Sequence, residues 1–304
     1  MQRGAEDADR KLSIAENYRR DPISRLAQAL VAAGAIGELR SVLDLTARGA
    51  SRGDAGTWRY LRSEGGPILE SGVHDADMQI YLCGPVRSLT GHVRLNERER
   101  IYKDVPPKAF HDHYAHTYPE TQIADAPDML MASMEFEGSA LGQWLYDNST
   151  HGPSLRRFTL FGSEGQLDLP GVRNGQPLRL YRDGHDGALT DQEVLAFVPE
   201  HALDARTARL FGGERLSRYE NTGGAMGGSA DLKLLAVELG ELLDAVDGSG
   251  EVEVGPEEGL AAVAVVIACH ESSAAARTVA IEEVLNGELA TYQSVANSAL
   301  GLEA

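Results

Sequence analysis

The chain has 304 residues, of which 42% are hydrophobic and 24% are charged, which is typical of one large globular domain or two small ones. Its 46 acidic and 28 basic side chains give a formal net charge of -18, a field that repels phosphate backbones and anionic lipid head groups. Nucleic acids and membranes are therefore not expected as partners. The two cysteines are too few for a disulfide framework, and with no signal-peptide pattern we expect a soluble cytoplasmic protein.

The first third of the chain alternates short strand and helix patterns. Pro22 is placed to begin a helix, and Gly34 and Gly37 to end it. The spacing of the apolar residues predicts, in chain order, a short strand at 12–14, a helix over 21–34, a strand at 38–49 and a second helix over 67–84.

Strand patterns then dominate as far as about residue 198. Seven segments follow one another with turn residues between several of them: VRSLTGHVRL, MLMASMEFEG, ALGQWLYDN, LRRFTLFG, GQLDLPG, PLRLYRDG and EVLAFVP. Successive strands without intervening helices favour antiparallel pairing, and the last third returns to helices. The predicted fold is α+β, with an open, mainly antiparallel sheet and helices on one face.

The helix over 67–84 carries three polar residues, Glu70, His74 and Asp77, at spacings of four and three, which place them on one stripe. A carboxylate one turn from a histidine can orient the imidazole and favour its protonated form, which suits acid–base chemistry near neutral pH. The same geometry also occurs in ordinary helical ion pairs, so the spacing alone leaves both interpretations open.

Two further segments have side chains suited to ligands. HDHYAH, with His111, His113 and His116, fits either metal ligands or a polar loop that faces a substrate cleft. Trp58 and Arg59 combine an aromatic face with a fixed cation, which suits a nicotinamide ring or a phosphate but equally a surface stacking pair.

The common phosphate-loop signals are missing from the sequence. No GxGxxG and no GK[ST] occurs, and the segment before GGAMGG is polar and does not predict a strand. GASRG matches the GxSxG pattern of serine hydrolases, but the residues after it do not begin the required helix, so we interpret it as coincidence.

Taken together, the segments resemble Gfo/Idh/MocA oxidoreductases over nearly the whole chain. AENYRRDP followed by RLAQALVAAGAIGELR resembles the crossing between that family's two domains, and TWR precedes GGPILESGVHDADMQIYLCGPV as its glycine pair and catalytic helix do. EEGLAAVAVVIACHESS and VLNGELATYQ are similar to the family's C-terminal elements. Each segment is a weak signal, whereas their order and spacing are specific.

The resemblance implies hydride transfer between a sugar, cyclitol or related hydroxyl compound and NAD or NADP. It makes His74 the acid–base residue, with Glu70 where the family commonly has an aspartate. By the same resemblance, the cofactor-binding candidates are Asn17, Trp58, Arg59 and Tyr292. We add the substrate-binding candidates Asp77, His111 and His113, and we expect no metal site.

The resemblance also implies a domain division. Residues 1–22 correspond to the end of a dinucleotide-binding Rossmann domain, and residues 23–304 to the α/β substrate-binding domain. The family's glycine-rich loop and Glu-Lys-Pro motif would precede Met1, so we expect the chain alone to be inactive. We expect a homo-oligomer formed through the sheet face. Two alternatives stay open: a non-catalytic binding or assembly subunit, and a histidine-dependent metal hydrolase or isomerase.

Overall fold

A computed structural model describes residues 1–53, 56–102, 115–223 and 228–301. Its helices are α1 (Gln2–Asp7), α2 (Pro22–Ala32), α3 (Gly66–Cys83), α4 (Asp191–Ala196), α5 (Ala205–Phe211), α6 (Ser229–Asp247), α7 (Pro256–Ala275), α8 (Ile281–Leu285) and α9 (Ser294–Leu300). Its strands are β1 (Leu39–Gly49), β2 (Val86–Arg94), β3 (Glu99–Ile101), β4 (Thr121–Ile123), β5 (Met129–Phe136), β6 (Leu141–Thr150), β7 (Leu155–Gly162), β8 (Gly165–Leu169), β9 (Arg179–Arg182) and β10 (Val279–Ala280).

Eight strands form one sheet in the hydrogen-bonded order β10-β2-β5-β6-β1-β7-β8-β9, and β3 pairs with β4 in a separate ladder. The pairs β10–β2, β2–β5, β5–β6, β7–β8 and β8–β9 are antiparallel, with Ala132 opposite Trp144 in the register of β5 and β6. The chain is therefore α+β with a large, mainly antiparallel open sheet, which confirms the predicted class.

The chain divides into two compact units. Unit 1 contains Met1–Ser41, Asp77–Leu82 and Phe158–Ala262, and unit 2 contains Val42–Ala76, Cys83–Arg157 and Val263–Ala304. The strand order follows the chain closely in the β7-β8-β9 part of unit 1, where turns such as Gly162–Gly165 connect successive strands.

In unit 2, the buried face of β5 and β6 packs against helices. Burial alternates along both strands, as expected where one face meets a core and the other is accessible. A Cβ at Gly72 of α3 would lie 3.3 Å from the ring of the buried Trp144, and one at Gly91 of β2 would lie 2.9 Å from the backbone of Cys269 in α7. Small residues thus allow both helices to approach the sheet closely.

In unit 1, the start of α2 follows from its sequence. Asp21 is the N-cap residue and its carboxylate accepts a hydrogen bond from the backbone of Ile23 at 2.8 Å, while Pro22 supplies a pre-set φ angle at the first turn. The same buried carboxylate also accepts hydrogen bonds from the backbone of Arg173 at 2.6 Å and the hydroxyl of Tyr219 at 2.6 Å. Asp21 therefore links α2 to two distant segments of its unit.

Two predicted strands are wrong. The segment around Leu12 and Ile14 is not a strand, because the backbone hydrogen bond from Ile14 to Val254 at 2.9 Å lies outside any ladder. The first four residues of EVLAFVP instead form the end of helix α4, because Thr190 and Glu193 form a capping box that satisfies the free backbone donors at its start. The other strand segments from 86 to 182 and the helices over 21–34 and 67–84 are confirmed.

Helix α7 is the most apolar long helix of the described part of the chain. An 18-residue window of it has a mean hydropathy of 1.2, which by length and composition alone would permit a membrane span, but 56% of that window is buried within the protein. Cys269 of α7 and Cys83 of α3 are free cysteines, and burial raises the pKa of both thiols. Both features fit a core helix with unreactive thiols.

Candidate functional site

Glycines fix where α3 begins and ends. Gly65 and Gly66 precede its first turn with φ angles of +92° and +74°, and Gly84 follows its end with a φ of +86°. A Cβ at Gly66 would lie 2.6 Å from the Cβ of Ala126, so this position has no room for a side chain. The start of α3, and with it the register of His74, is therefore set by backbone that favours glycine.

The first turns of α3 form one wall of a small cleft in unit 2. The cleft is narrow, with a volume of about 10 Å³, and is lined by Arg48, Arg59, Tyr60, Pro67, Glu70, Ser71, Tyr146 and Asn148. Strands β1 and β6 supply the opposite wall, which includes Arg48 and Tyr146. The lining is mostly polar and contains two guanidinium groups and one carboxylate.

The structure brings together a predicted catalytic residue and two predicted cofactor-binding residues. Glu70 forms an ion pair with Arg59 at 2.7 Å and also accepts a hydrogen bond from the hydroxyl of Ser71. The guanidinium of Arg59 lies over the ring of Trp58, 5.2 Å from its centroid, and the Arg59 Nε is buried without a hydrogen-bond partner among the described residues. Trp58 itself is exposed.

His74 is half-buried one helical turn after Glu70, in unit 2. Near it, Tyr146 is hydrogen-bonded to Ser71 and Arg48, and burial raises the pKa of its hydroxyl, which therefore stays protonated. Asp75, the neighbour of His74, is buried and forms an ion pair with Arg156 at 2.9 Å. Glu70, Ser71 and Asp75 of α3 thus contact polar partners, and His74 lies on the same stretch of the helix.

Asp77, a predicted substrate-binding residue, is the partner of a buried arginine in unit 1. The carboxylate is 1% exposed and accepts two hydrogen bonds from Arg19, one of them at 2.9 Å. The Arg19 guanidinium also lies over the ring of Tyr81, 5.1 Å from its centroid. A bidentate pair of this kind positions both side chains firmly. The substrate-binding role of Asp77 stays a prediction.

The other two predicted cofactor-binding residues lie in different units. Asn17, in unit 1, is half-buried, and its Oδ1 has no hydrogen-bond partner among the described residues. Tyr292, in unit 2, stacks on His270 with ring centroids 4.1 Å apart, and the Arg62 guanidinium lies 4.7 Å from its centroid. The Tyr292 backbone N–H donates to the buried Glu271 at 2.9 Å.

The three candidate histidines of HDHYAH differ in where they lie relative to the described residues. His111 and His113 lie outside the described residues, and His116 is exposed at a 3₁₀ turn. Within the described ranges, no three His, Cys, Asp or Glu side chains form a group that could hold a metal ion. The metal-dependent hypothesis has no support from this part of the chain.

Sequence reasoning missed several residues of the cleft. Arg48, Tyr146 and Asn148 lie on strands at some distance along the chain from α3, and nothing in their local pattern distinguishes them from other strand residues. Ser71 follows Glu70 directly, but its hydroxyl is one of many in the sequence. Pairing of β6 with its neighbours, rather than any motif, brings these groups to α3.

Residues 24–168 match the family model described as the GFO/IDH/MocA C-terminal domain. Within that range the chain is similar to a Gfo/Idh/MocA C-terminal domain. The matched range includes α3 and every residue that lines the cleft. The recognition drawn from the order of the sequence segments is therefore confirmed.

Solved structures with the same fold are NAD-binding oxidoreductases of the Gfo/Idh/MocA type. An NAD-binding oxidoreductase from Klebsiella pneumoniae is 21% identical, with a TM-score of 0.65, and the match covers 92% of this chain and 69% of that one. Levoglucosan dehydrogenase in complex with NADH and L-sorbose is 20% identical, with a TM-score of 0.66 and coverages of 93% and 70%.

An oxidoreductase domain protein from Kribbella flavida is 21% identical, with a TM-score of 0.64 and coverages of 92% and 68%. At these identities the likeness shows the fold alone. A search of curated protein sequences finds no match to the chain.

Proposed function

We propose that this chain is the substrate-binding part of an NAD(P)-dependent oxidoreductase that acts on a sugar, cyclitol or related hydroxyl compound. The observation that carries the proposal is the position of His74, half-buried on α3 inside the matched Gfo/Idh/MocA domain and one turn from the Glu70–Arg59 pair. A structural relative binds NADH together with L-sorbose, which supports a nicotinamide cofactor and a polyhydroxylated substrate.

In this function, His74 exchanges a proton with the substrate hydroxyl while the carbon is oxidised or its carbonyl is reduced. Glu70, held by Arg59 at 2.7 Å, keeps a carboxylate one helical turn from His74. The Tyr146 hydroxyl and the Asn148 side chain provide hydrogen bonds for substrate hydroxyls. The nicotinamide supplies the redox half of the reaction.

Two unpartnered atoms fit a nicotinamide cofactor. The buried Oδ1 of Asn17 can accept a hydrogen bond from a carboxamide, and the buried Nε of Arg59 can donate one to a carbonyl or phosphate oxygen. Trp58 offers an exposed aromatic face. Asn17, Trp58, Arg59 and Tyr292 are therefore proposed as residues that contact NAD or NADP.

We further infer that these 304 residues alone do not complete the reaction, because the sequence has no strand–GxGxxG–helix unit to bind a pyrophosphate. The purified chain, incubated with NAD or NADP and a panel of hexoses, hexitols and cyclitols, should show no cofactor reduction. Detectable turnover would contradict this inference while supporting the reaction. In that case His74→Ala should lower kcat by about 10²–10⁴.

A non-catalytic binding or assembly subunit is the second candidate. The observation that favours it is that Glu70 replaces the family's usual aspartate and is engaged by Arg59 and Ser71. The two candidates differ in their dependence on His74. A non-catalytic subunit should be unaffected when His74 is replaced by Ala. A catalytic substrate site should instead lose affinity for its substrate in that variant.

The accessible face of β2, β5 and β6 is the proposed oligomer interface of this function. It holds an open depression of about 470 Å³ lined by residues that include His92, Met131 and Gln143, and Met131 is exposed although it lies within a strand. A broad sheet face with scattered apolar side chains suits a self-complementary contact. Alteration of the oligomeric state by Met131→Glu would support this interface.

A further inference from the structure

Helix α6 of unit 1 has two apolar faces. One face is buried in the unit and includes Ala230, Leu234, Val237 and Ala245. The opposite face exposes five large apolar side chains: Leu232, Leu235, Leu239, Leu243 and Val246. A surface helix normally carries polar residues there, so an apolar outer face indicates a contact with another surface. We call these five residues the α6 stripe.

The spacing of the α6 stripe is three, four, four and three residues. At 100° per residue, all five side chains fall within one narrow arc, and the stripe extends about 21 Å along the helix axis. A 3–4 spacing of apolar residues is the pattern by which two helices pack side by side. The stripe is therefore shaped for another helix rather than for a flat surface or a small molecule.

The same spacing also indicates which helix packs against the α6 stripe. Counted from Leu239, the other members lie at minus seven, minus four, plus four and plus seven, so the pattern reads identically in both directions. An antiparallel copy of α6 would place Leu239 opposite Leu239, Leu235 opposite Leu243, and Leu232 opposite Val246. A surface that is complementary to its own copy forms a twofold, isologous interface.

The charges beside the stripe favour the same arrangement. Lys233 is the only basic residue of α6, and Asp247 lies on the same flank near the other end, together with Asp244, which is paired with Arg206 at 2.8 Å. In an antiparallel twofold pair, like flanks meet, so Lys233 of each copy lies beside the exposed Asp247 of the other. The flank charges are therefore complementary in the antiparallel arrangement.

We propose that α6 is a self-association surface, where two copies of this chain pack antiparallel along the α6 stripe. The surface lies in unit 1, does not include α3, the cleft or the β2–β5–β6 sheet face, and does not depend on the oxidoreductase function. The occupant is a second copy of the chain, because both the residue spacing and the flanking charges are complementary to themselves.

Analytical ultracentrifugation of the full chain tests the surface. Leu239→Glu places two carboxylates face to face at the twofold axis and should weaken self-association at least about tenfold, so that the mass of the wild-type assembly is halved. Leu239→Met should retain the assembly. Leu260→Glu is the matched control, because Leu260 of α7 is 54% exposed and lies outside the stripe. A wild-type chain that is monomeric, or a Leu239→Glu variant with unchanged mass, would overturn the proposal.

Disulfide trapping tests the direction. Cys269 is buried and Cys83 is half-buried, so introduced cysteines report the interface alone in a Cys83→Ser background. Mixed Leu232→Cys and Val246→Cys chains should form a heterodimeric disulfide, and neither chain should link to itself. Self-linking of Leu232→Cys would show a parallel pair and contradict the antiparallel arrangement. Circular dichroism checks that each variant is folded.

Discussion

At the scale of single residues, the acidic position of α3 differs from the usual pattern of the family by one methylene group. That extra length lets Glu70 reach Arg59 at 2.7 Å while Arg59 lies over Trp58. Both partners of the pair are partly accessible, so the stabilisation from the ion pair is modest, on the order of 1 kcal/mol. Its consequence for function is positional, because it fixes the direction of a carboxylate beside His74.

Buried His270 predicts a pH dependence of stability. Burial, with a smaller effect from Arg62, lowers the pKa of its imidazole to about 4, from an unperturbed 6.5. The folded protein therefore keeps His270 neutral while the unfolded chain binds a proton below pH 6.5. Stability is full above pH 6.5 and falls as the pH decreases toward 4, by about 2 kcal/mol between pH 6.5 and 5.

Urea unfolding of His270→Leu across that pH range measures the effect. The variant should lose the His270 contribution, so its stability relative to the wild type should rise as the pH falls. His185→Leu removes an exposed histidine and should leave the wild-type pH dependence unchanged. Equal pH slopes for wild type and His270→Leu would show that His270 is protonated normally in the folded state.

The fully buried pair of Arg100 and Asp128 predicts a large loss of stability when it is broken. Arg100 donates to Asp128 at 2.6 Å and to the carbonyl oxygens of Ala50 and Asn148, and its guanidinium lies over Tyr60. Arg100→Met would leave a buried carboxylate without its cation and should lower the free energy of unfolding by about 3–5 kcal/mol.

Chemical denaturation measures that loss, with Arg98→Met as the control. Arg98 is exposed, so its replacement should change the free energy of unfolding by about 0.5 kcal/mol or less. If the two variants were equally stable, the Arg100–Asp128 pair would not stabilise the segment that carries Tyr60 and the cleft.

At the scale of elements, the helices that have strong periodicity and clear end signals could be predicted from the sequence. Helix α2 has an Asp-Pro start and α3 is bounded by glycines, and both helices lie where the sequence predicted them. Helix α4 is six residues long, too short to show a helical period, and Val194 together with Phe197 and Val198 after the helix resembles a strand pattern. Its start was visible only in the capping box of Thr190 and Glu193.

The close approach of β2 to α7 predicts a steric effect at Gly91. An added Cβ would lie 2.9 Å from both the Cα and the carbonyl oxygen of Cys269, and backbone atoms of a packed helix cannot rotate away. Gly91→Ala should therefore lower the free energy of unfolding by about 1–3 kcal/mol in a denaturation experiment. Gly138→Ala is the control, since its Cβ would have no neighbour within 4 Å. A neutral Gly91→Ala would mean that α7 can move away from the sheet without cost.

At the scale of the whole molecule, the sequence predicted the fold class and the helix that carries His74, because order and spacing of segments survive low sequence identity. It did not predict the cleft, since Arg48, Tyr146 and Asn148 reach α3 only through sheet pairing. The net charge of -18 leads us to expect neither nucleic-acid nor membrane partners, and this expectation, like the cytoplasmic location, remains a prediction.

Isothermal titration calorimetry with a panel of hexoses, hexitols and cyclitols tests the central claim most directly, because it requires no turnover. The account predicts that the full chain binds at least one compound, that His74→Ala weakens this binding at least about tenfold, and that His151→Ala, at an exposed histidine, does not. If no compound binds, or if both variants bind as the wild type does, α3 is not the substrate-binding helix of this chain.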